Sequence, residues 1–576
     1  MRSFFLTLCS FSVIIFFIQE HIIGHGNRGS WKGEDEVNTK GIDYILNNIV
    51  GGNGIAQWKI VFFGFIMNAA GGVPLLVHMF AAHTPDHHCK VPICEGGNTY
   101  SSNDSSSSWM SYAIPLSSST TNFLKPMSKY DSCFMFKVLD PNGDCEKDNF
   151  DSNSIVPCNE WVYDTSLYEY TLTTEYSLVC GDESKNRLLG TLMMMGLMIG
   201  SLVGGKLGDY FGRKKACFMS ISVIVPCIVL SGFAPSFPVY AGLRLLNCIC
   251  IPIQWVGAKS LLIEVFGTKG REKCVAIKDT FAPIYMVVLG TLAYLIRDYQ
   301  NLHLSVGIIC ILSLSTWFFI PESIRWDIAN NQKERARETL LKIAHDNRRV
   351  LSVESHELID KILERIHVEF MKSENMGKHQ IWDMFKKGQR RISFILILNW
   401  ITVCVTAYTL TLNITTLSGN IYVNFILSGL SELPASLVLY FFLKIFGRRF
   451  NLFIYQTFTV ISCVLMAVIP KSMSTLILII FLFGKASAGA GFEIAWLLPM
   501  ELYPTNLRAQ AVGTCSTIAR LFGMSAAFIG ALAVYWQPLP LLIIGIPTLI
   551  AGLSAFFLPE TSGKNLPQTI QKVQDR

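Results

Sequence analysis

Charged side chains are scarce in this chain. Asp, Glu, Lys and Arg make up only 16% of its 576 residues, whereas soluble domains carry about 25%. The sequence also lacks a Gly-x-x-x-x-Gly-Lys-Ser/Thr phosphate loop, which argues against a pump driven directly by nucleotide hydrolysis. It lacks a nucleophile with a convincing base partner, which argues against an enzyme.

The chain contains long runs of hydrophobic residues. Hydrophobic residues make up 51% of the chain, and a helix that spans a bilayer needs about 20 of them in succession. Twelve runs after residue 55 meet this requirement, six in each half of the chain. They cover residues 58–81, 187–208, 216–233, 237–258, 275–296, 301–320, 392–412, 419–443, 451–469, 474–498, 509–533 and 538–558.

Basic residues occur in alternate loops between these spans, and short loops rich in Lys and Arg lie on the cytoplasmic side. The opposite short loops, near residues 233–237, 413–418 and 534–538, contain neither residue type. The net charge of +6 therefore reflects membrane topology, and no feature indicates nucleic-acid binding. The basic loop residues are Lys206, Arg213, Lys214, Lys215, Lys269, Arg271, Lys273, Lys444, Arg448, Arg449 and Arg508.

The chain contains an internal repeat. Phe-Gly-Arg-Lys at 211–214 recurs as Phe-Gly-Arg-Arg at 446–449, and Pro-Glu-Ser at 321–323 recurs as Pro-Glu-Thr at 559–561. Glu264 and Arg271 have counterparts in Glu501 and Arg508, and all offsets lie between 235 and 238 residues. Such constant spacing indicates a duplicated helical bundle. Two similar halves in a membrane predict a transporter with a site between them.

The segment before the second span has extracellular chemistry. It contains the sequon Asn103-Asp104-Ser105, which predicts glycosylation. An even number of cysteines in an oxidising compartment predicts three disulfides, although six cysteines allow 15 pairings and the sequence does not choose among them. A second sequon at Asn413 adjoins the seventh span and lies too close to the bilayer for use. The cysteines of this segment are Cys89, Cys94, Cys133, Cys145, Cys158 and Cys180.

The predicted organisation has seven parts. Phe4 to Ile18 looks like a secretory hydrophobic region, and either an extra membrane anchor or an artefact of the gene model would explain it. The parts are an amino-terminal extension at 1–40, a cytoplasmic start with span 1 at 41–82, an extracellular loop domain at 83–186, spans 2–6 at 187–324, a cytoplasmic linker at 325–391, spans 7–12 at 392–558 and a cytoplasmic tail at 559–576.

A set of motifs is spread along most of the chain. They are Pro-Asp-His-His-Cys at 85–89, Thr-Glu-Tyr-Ser-Leu-Val-Cys at 174–180, Gly-Asp-Tyr-Phe-Gly-Arg-Lys at 208–214, Pro-Glu-Ser-Ile-Arg-Trp at 321–326, Glu-Leu-Tyr-Pro-Thr at 501–505 and Pro-Glu-Thr at 559–561. Together they resemble the organic cation, carnitine and organic anion transporter family of the major facilitator superfamily. The resemblance covers about residues 41–570. It implies an all-α, polytopic, twelve-helix fold in two six-helix halves, with a disulfide-rich extracellular loop domain.

The resemblance also implies a role for the repeated cytoplasmic charges. Asp209 and Arg213 stand four residues apart, so they can meet on one helix face. In facilitators such clusters hold the inner gate shut while the outer side is open. The alternative is that they are topological anchors with stabilising ion pairs. The predicted gating residues are Asp209, Arg213, Glu264, Arg271, Arg448, Glu501 and Arg508.

Ionisable residues inside predicted spans are costly, at about 3 kcal/mol or more each, so they should face a cavity or a partner. Arg520 stands where the resemblance places an acidic residue in cation transporters and an arginine in carnitine and anion transporters. Lys259 replaces an aromatic residue of the cation transporters, and Glu493 replaces a neutral polar one. The residues singled out on this criterion are Lys259, Asp279, Glu432, Glu493 and Arg520.

A cavity that holds both signs of charge favours a zwitterion or an amphiphilic anion as substrate. The alternative is that internal salt bridges use these charges up, with Lys259 paired to Asp279 or Glu264, and Arg520 to Glu493. Trp255 and Tyr408 could hold a cationic group on their ring faces, or could simply pack. Gln254 and Asn68 are mid-helix amides and complete the predicted substrate site.

We therefore predict a multi-pass plasma-membrane transporter of small organic ions that works by alternating access. An organic cation transporter and a transporter-like receptor without transport are the alternatives. His83, His87, His88 and Cys89 have the composition of a metal site, but the corresponding family tract is structural, so we expect no metal or other cofactor. Coupling to Na+, to H+ or to exchange stays open, as does the oligomeric state.

Overall fold

The computed structural model describes most of the chain between residues 41 and 561. The amino-terminal extension and Asn103 of the first sequon lie outside the described residues, as do Arg271 and Asp279. The described residues are 41–95, 109–116, 130–267, 270, 274, 277–278, 280–374, 384–386, 389–414, 417, 419–470, 472–503 and 505–561, without the side chains of 369–374, 440, 444 and 505–509.

Apolar helices make up most of the described residues. Eleven of them are long and apolar enough to cross a membrane, and Phe281–Leu295 is a shorter apolar helix. The twelve helices are α1 Ile55–Leu76, α2 Glu183–Phe211, α3 Arg213–Ser231, α4 Phe237–Glu264, α5 Phe281–Leu295, α6 Tyr299–Leu314, α7 Arg390–Leu412, α8 Ile421–Phe446, α9 Arg448–Val468, α10 Ser474–Leu502, α11 Thr505–Gly523 and α12 Leu539–Ser554.

Glycine sets the same sharp turn in both halves. Gly212 separates α2 from α3 with φ of 103°, and Gly447 separates α8 from α9 with φ of 77°. Glycine adopts this left-handed conformation without the steric penalty that a Cβ brings. The repeated Phe-Gly-Arg motif therefore folds into the same structural unit twice, with the arginine at the first position of the following helix.

Glycines also allow α2 to approach α4 closely. A Cβ added to Gly200 would lie 2.1 Å from the carbonyl oxygen of Ile249, and one on Gly196 would lie 2.6 Å from the Cβ of Cys248. Small residues at such positions let two helix backbones come together in a membrane. The glycine-rich stretch of α2 thus fixes the position of α4 in the first half.

The two halves touch along α5 and α8 on one flank. A Cβ on Gly290 of α5 would lie 2.7 Å from Cγ1 of Ile426, and one on Gly429 of α8 would lie 2.9 Å from Cβ of Met286. On the other flank, the Thr191 hydroxyl of α2 donates a hydrogen bond of 3.3 Å to the Met524 carbonyl just beyond α11. The first and second halves of the chain therefore pack together as one helical bundle.

The outer segment departs from the helical architecture. Strand β1 (His87–Cys89) pairs antiparallel with β4 (Trp161–Tyr163), and β2 (Phe134–Val138) pairs antiparallel with β3 (Phe150–Pro157). The predicted disulfides are confirmed, and the structure selects one of the 15 pairings. The bonds are Cys89–Cys158, Cys94–Cys145 and Cys133–Cys180.

The second sequon lies in the bundle. Asn413 is buried, and its amide donates a hydrogen bond of 2.8 Å to the Thr409 carbonyl one turn earlier. A buried amide that already has a partner is a poor glycan acceptor. This geometry therefore disfavours glycosylation at Asn413.

The linker between the halves is helical and attached to the first half. Its helices are Ile324–Ala329, Lys333–Asp346 and Val353–Glu374. The Asn347 side chain accepts a hydrogen bond from the Ala56 amide at 2.9 Å and donates one to the Gly51 carbonyl at 3.0 Å. One side chain therefore holds the second linker helix beneath the start of α1.

Candidate functional site

The second half contains a buried ion pair. Lys485 of α10 lies within hydrogen-bond distance of the Glu432 carboxylate of α8. The lysine side chain is only 3% exposed and the glutamate 21%. A carboxylate partner offsets much of the cost of burying an ammonium group in the membrane. Glu432 therefore faces a partner on another helix, a lysine that the sequence analysis did not single out.

Lys259 joins the two halves. Its ammonium lies 4.9 Å from the ring centroid of Trp496, so α4 of the first half meets α10 of the second. The Trp496 ring lies 4.8 Å from that of Trp400 on α7. A cation over an indole face is electrostatically favourable. Trp400 and Trp496 together form an aromatic wall, and the ammonium group of Lys259 lies at its edge.

Arg520 is buried in α11 with 7% of its surface exposed. Its guanidinium donates to the Ser516 hydroxyl one turn earlier. It is close enough to interact electrostatically with the side chains of Cys404 and Tyr408 on α7. Within the described part of the chain no carboxylate forms an ion pair with it. The charge of Arg520 therefore has a hydroxyl partner and no described counterion.

The predicted amides bind helix backbones. Gln254 of α4 is fully buried and donates to the Met67 carbonyl of α1 at 3.1 Å. Asn68 is 7% exposed and donates to the Gly64 carbonyl at 2.8 Å. A Cβ on Gly71 would lie 2.6 Å from Nε1 of Trp255. Gln254 therefore fastens α4 to α1, whereas Asn68 bonds within α1. The side-chain oxygen of Gln254 has no described donor.

The remaining predicted substrate residues lie at the surfaces of the same helices. Glu493 of α10 and Tyr408 of α7 are both half-buried. The predicted site residues on α4, α7, α8, α10 and α11 thus belong to both halves. The structure brings Lys259 to α10 and Arg520 to α7, while Gln254 bonds α1 and Asn68 bonds within its own helix.

Two buried cations were missed by the sequence analysis. Arg244 of α4 is 2% exposed and Lys485 of α10 is 3% exposed. Both lie inside predicted spans, so the criterion that selected Lys259 and Arg520 selects them as well.

The cytoplasmic charges of the first half form one cluster. Arg213 pairs with Asp209 at 2.6 Å. Glu322 accepts hydrogen bonds of 2.9 Å from the backbone amides of Lys214 and Ser323. The Ser323 hydroxyl donates to the carboxylate of Glu264 at the end of α4. Glu322 therefore occupies the amino-terminal end of α3, where a negative charge is favourable.

The second half repeats this arrangement. Glu560 accepts from the backbone amide of Arg448 at 2.8 Å and from that of Arg449 at 3.3 Å. The Thr561 hydroxyl donates to Glu501 at the end of α10. The sequence repeat is thus also a repeat of hydrogen bonds, with Glu560 and Thr561 in the places of Glu322 and Ser323.

The arginines differ between the two halves. Arg448 donates to Glu501 through Nε at 3.1 Å and through Nη2 at 3.1 Å, whereas Arg213 pairs with Asp209. Lys444 occupies the position that corresponds to Asp209, so Arg448 lacks that carboxylate and turns to the helix end. Arg508 lies in the first turn of α11, and its side chain is outside the described part.

Asp327 is an unusual acid beside the first cytoplasmic cluster. It is fully buried on the first linker helix, its carboxylate oxygens accept no hydrogen bond from described residues, and Arg335 Nε is 3.8 Å away. Burial raises the pKa of Asp327 from 3.8 to about 6, against the opposing effect of Arg335. This group therefore titrates near neutral pH at the cytoplasmic face.

The histidine tract after α1 has structural partners. Cys89 is in a disulfide with Cys158, His88 contacts the Glu95 carboxylate at 2.6 Å, and the His83 ring stacks on Tyr168. Histidines and a cysteine engaged in this way contribute to folding of the outer domain.

Residues 129–571 match the family model described as "Sugar (and other) transporter". The chain is 30% identical to the organic cation transporter-like protein of Drosophila melanogaster, with 89% of each chain covered. It is 30% identical to organic cation transporter 1 of Caenorhabditis elegans, covering 92% of this chain and 88% of that one. It is 27% identical to human organic cation/carnitine transporter 2, covering 90% and 92%.

Solved structures of low sequence identity share the fold. The proton:xylose symporter XylE of the major facilitator superfamily, bound to 6-bromo-6-deoxy-D-glucose, has a TM-score of 0.58 at 15% identity, covering 88% of this chain and 97% of that one. The inward-open form of the xylose transporter XylE from E. coli has a TM-score of 0.59 at 14% identity, with 88% and 98% covered. The predicted twelve-helix facilitator fold is confirmed.

Proposed function

Because the chain belongs to the sugar (and other) transporter family, and within it to the organic cation, carnitine and organic anion transporters of the major facilitator superfamily, we propose that it carries small organic ions across the plasma membrane. The multi-pass bundle and its two halves support this function. Organic cations and carnitine appear in the names of its relatives. The family consists of membrane transporters, which is why we propose transport for this chain and no enzymatic reaction.

The substrate we propose carries a carboxylate or another anionic group, with an apolar or cationic remainder. Arg520 is the observation that supports this choice. It is a buried cation whose described partner is the Ser516 hydroxyl, and burying a charge without a counterion is costly. A substrate carboxylate would supply that counterion and could form two parallel hydrogen bonds with the guanidinium.

The rest of the proposed site accommodates the other end of such a molecule. Trp400 and Trp496 offer aromatic faces beside Lys259, and Glu432 offers a carboxylate that is held by Lys485. A zwitterion would interact with site residues of both charge signs. An amphiphilic anion would interact with the cation and with the aromatic wall. A simple quaternary ammonium compound would meet the buried Arg520 and the half-buried Lys259, which disfavours it electrostatically.

Alternating access would proceed by rocking of one half against the other around this site. The two cytoplasmic clusters are placed to respond to that movement, because each joins the inner end of α4 or α10 to the Pro-Glu-Ser or Pro-Glu-Thr segment. We assign gating to Asp209, Arg213 and Glu264 in the first half and to Arg448 and Glu501 in the second. Arg271 and Arg508 complete the proposed set.

Uptake of a labelled cation, zwitterion and anion into cells that express the protein tests the proposal. We expect wild type to take up the zwitterion or the anion. The change Arg520→Asp should lower that uptake by at least about 30-fold, since losing one partner of a buried charge pair costs about 2 kcal/mol or more.

The control is Lys361→Asp, a charge reversal at an exposed linker position, with surface expression measured for every variant. It should transport normally. Wild-type preference for the cation, unchanged by Arg520→Asp, would contradict our assignment and favour an organic cation transporter. Surface expression without uptake of any of the three compounds would favour a receptor.

A further inference from the structure

A groove lies at the inner end of α1, apart from the proposed substrate site. It runs between α1 and the short helical turn Ser315–Phe318 that follows α6, and its volume is about 580 Å³. Its walls are mostly apolar, and they include one lysine. The residues that line the groove are Ile55, Trp58, Lys59, Phe62, Phe63 and Phe319.

Contacts between aromatic rings hold the walls of the groove in place. Phe63 of α1 stacks on Phe319, with ring centroids 4.1 Å apart. The Trp58 ring meets the Phe266 ring in an edge-to-face arrangement, with centroids 5.5 Å apart. Aromatic pairs contribute to stability beyond the area that they bury. The shape of the groove is therefore built into the packing of the first half.

The groove faces the inner leaflet of the bilayer. Ile55 begins the span of α1 on the cytoplasmic side, and α6 packs mainly on α1 and α3 of its own half. Phe62 and Phe319 are 58% and 54% exposed. Large apolar rings that are exposed on the flank of a membrane bundle contact acyl chains, and aromatic residues such as Trp58 are typical of the level of the headgroups.

Lys59 is the charged residue of the groove. It stands one turn inside α1 and is half-buried. Within the described part of the chain, its ammonium forms neither an ion pair nor a hydrogen bond. A cation in a membrane span needs a partner or a path to water, and a lysine near a helix end extends its ammonium to the headgroup level. At that level the phosphate of a lipid is the nearest anion.

The cytoplasmic linker brings a second cation to the same end of α1. Asn347 accepts a hydrogen bond of 2.9 Å from the Ala56 amide, and a Cβ on Gly51 would lie 3.4 Å from Nε of Arg349. Lys59 follows Ala56 by three residues, which is about 4.5 Å along the helix axis. The fold therefore places Arg349 and Lys59 on adjoining parts of one surface.

The linker turn around Arg349 has the composition of a membrane-surface segment. Arg348 and Arg349 are both exposed, and the valines that follow them, Val350 and Val353, are 100% and 77% exposed. Exposed apolar side chains beside basic ones suit the boundary between headgroups and acyl chains, where cations are attracted to anionic lipids. This turn therefore extends the surface of the groove towards the cytoplasm.

The described acids on the segments around this end of α1 have partners of their own. Asp43 pairs with Arg325 at 2.8 Å, and Asp346 lies 3.7 Å from His345. Among the described residues, neither Arg348 nor Arg349 forms an ion pair. The positive charge of this surface is therefore available to an anion from outside the protein.

We propose that the groove and the linker turn together bind one anionic phospholipid of the inner leaflet. An acyl chain lies in the groove between Phe62 and Phe319, the phosphate meets Lys59, and the rest of the headgroup lies against Arg348 and Arg349. Three cations complement a headgroup of net negative charge. A phosphatidylcholine headgroup would bring its own ammonium group towards the arginines, which is why we assign the site to an anionic lipid.

The test uses the purified full chain in phosphatidylcholine vesicles that contain a small fraction of phosphatidylserine with a photoreactive acyl chain. After illumination, mass spectrometry of the peptides locates the label. We expect it on residues 55–63 and on the segment around Phe319. Unlabelled phosphatidylserine should halve this labelling at a mole fraction at least about tenfold lower than unlabelled phosphatidylglycerol's neutral counterpart, diacylglycerol, or added phosphatidylcholine, because several cations attract the anionic headgroup.

Variants of the three cations test the charge of the site. Lys59→Gln should raise the mole fraction of phosphatidylserine needed for competition about fivefold, and Lys59→Gln combined with Arg348→Gln and Arg349→Gln should abolish the preference over phosphatidylcholine. Lys59→Arg keeps the charge and should retain the preference. The matched control is Lys206→Gln, which removes an exposed lysine at the inner end of α2 and should label and compete like wild type.

Several results would overturn the proposal. Equal competition by phosphatidylserine and phosphatidylcholine would show ordinary boundary lipid, with Lys59 extended to water. An unchanged preference in the triple variant, or labelling only at other helices, would place the site elsewhere. Equally strong competition by glycerophosphoserine, which has no acyl chains, would indicate a site for a free anion. Cross-linking of a second copy at the groove without lipid labelling would indicate a dimer contact. Binding is measured without substrate, so its failure leaves the proposed transport function in place.

Discussion

Four cations in the membrane part have different kinds of described partner. Lys485 has a carboxylate, and Lys259 has an indole face. Arg244 has helix-end carbonyls, and Arg520 has a hydroxyl. These partners differ in strength, because an ion pair at low dielectric is worth more than a dipole contact. Arg520, whose described partner is a hydroxyl, is therefore the cation to which we assign an anionic substrate.

Asp327 provides a prediction about stability and pH. Its pKa in the folded protein is about 6, above the ordinary 3.8, so its favourable contribution is complete below about pH 3.8 and is lost as pH rises through 6. Asp327→Asn should then be more stable than wild type at pH 7.5, by up to about 3 kcal/mol, and the difference should shrink at pH 5.

Thermal unfolding in detergent at the two pH values measures this difference. Asp360→Asn is the control, since Asp360 is an exposed acid on the third linker helix, 2.8 Å from Arg337. Its removal should change stability by less than about 1 kcal/mol. An Asp327→Asn variant that is less stable than wild type at pH 7.5 would show that the carboxylate has a favourable ionic role.

At the scale of elements, the two halves use one cytoplasmic unit. A glycine turn ends one helix, and the Glu of the Pro-Glu-Ser or Pro-Glu-Thr segment accepts hydrogen bonds from the backbone amides at the start of the next. A Ser or Thr hydroxyl of the same segment binds the Glu at the end of α4 or α10. Carboxylates at helix amino termini are favourable. The unit therefore explains why the repeated motifs stand at constant offsets.

The contact between α2 and α4 depends on glycine, and this can be tested. In Gly200→Ala the new Cβ would lie 2.1 Å from a backbone oxygen of α4, so the helices must separate. We expect a loss of about 1 to 3 kcal/mol, typical of overpacking, seen as a lower melting temperature in detergent. Gly205→Ala on the same helix has no atom within 4 Å of its Cβ and should melt like wild type or slightly higher. Equal melting temperatures for both variants would contradict the close approach.

At the scale of the whole molecule, the Lys259–Trp496 contact joins the halves on the inner side. Lys259 lies near the inner end of α4, and Trp496 near that of α10. A cation–π contact is worth about 0.5 to 2 kcal/mol. It therefore favours the arrangement in which the inner side is closed.

Trp496→Ala should reduce the population of that arrangement. Because apparent affinity scales with the competent fraction, we expect the affinity for substrate added outside to fall about 2- to 30-fold in uptake assays. Trp496→Phe, which keeps a ring face, should restore most of it, and Trp536→Ala, at an exposed position, should have no effect. Wild-type affinity in Trp496→Ala would show that the contact does not support closure.

The family resemblance guided the sequence analysis well for the scaffold and less well for the site. The twelve spans, the halves and the disulfide-bonded outer domain follow from hydrophobic runs and cysteine counts, which depend on the bilayer and the redox compartment. Lys485 and Arg244 were missed, and the partner of Glu432 with them. Helical periodicity assigns a residue to a span but does not tell which neighbouring helix it faces.

The sequence by itself determined that this is a duplicated, twelve-helix membrane transporter, since scarce charge, long apolar runs and repeated motifs are properties of the chain alone. Only the tertiary structure decided the disulfide pairing, the Lys485–Glu432 ion pair and the Lys259–Trp496 contact. These contacts join residues that are far apart in the chain. Their partners depend on how helices rotate and cross, which packing of the whole bundle sets.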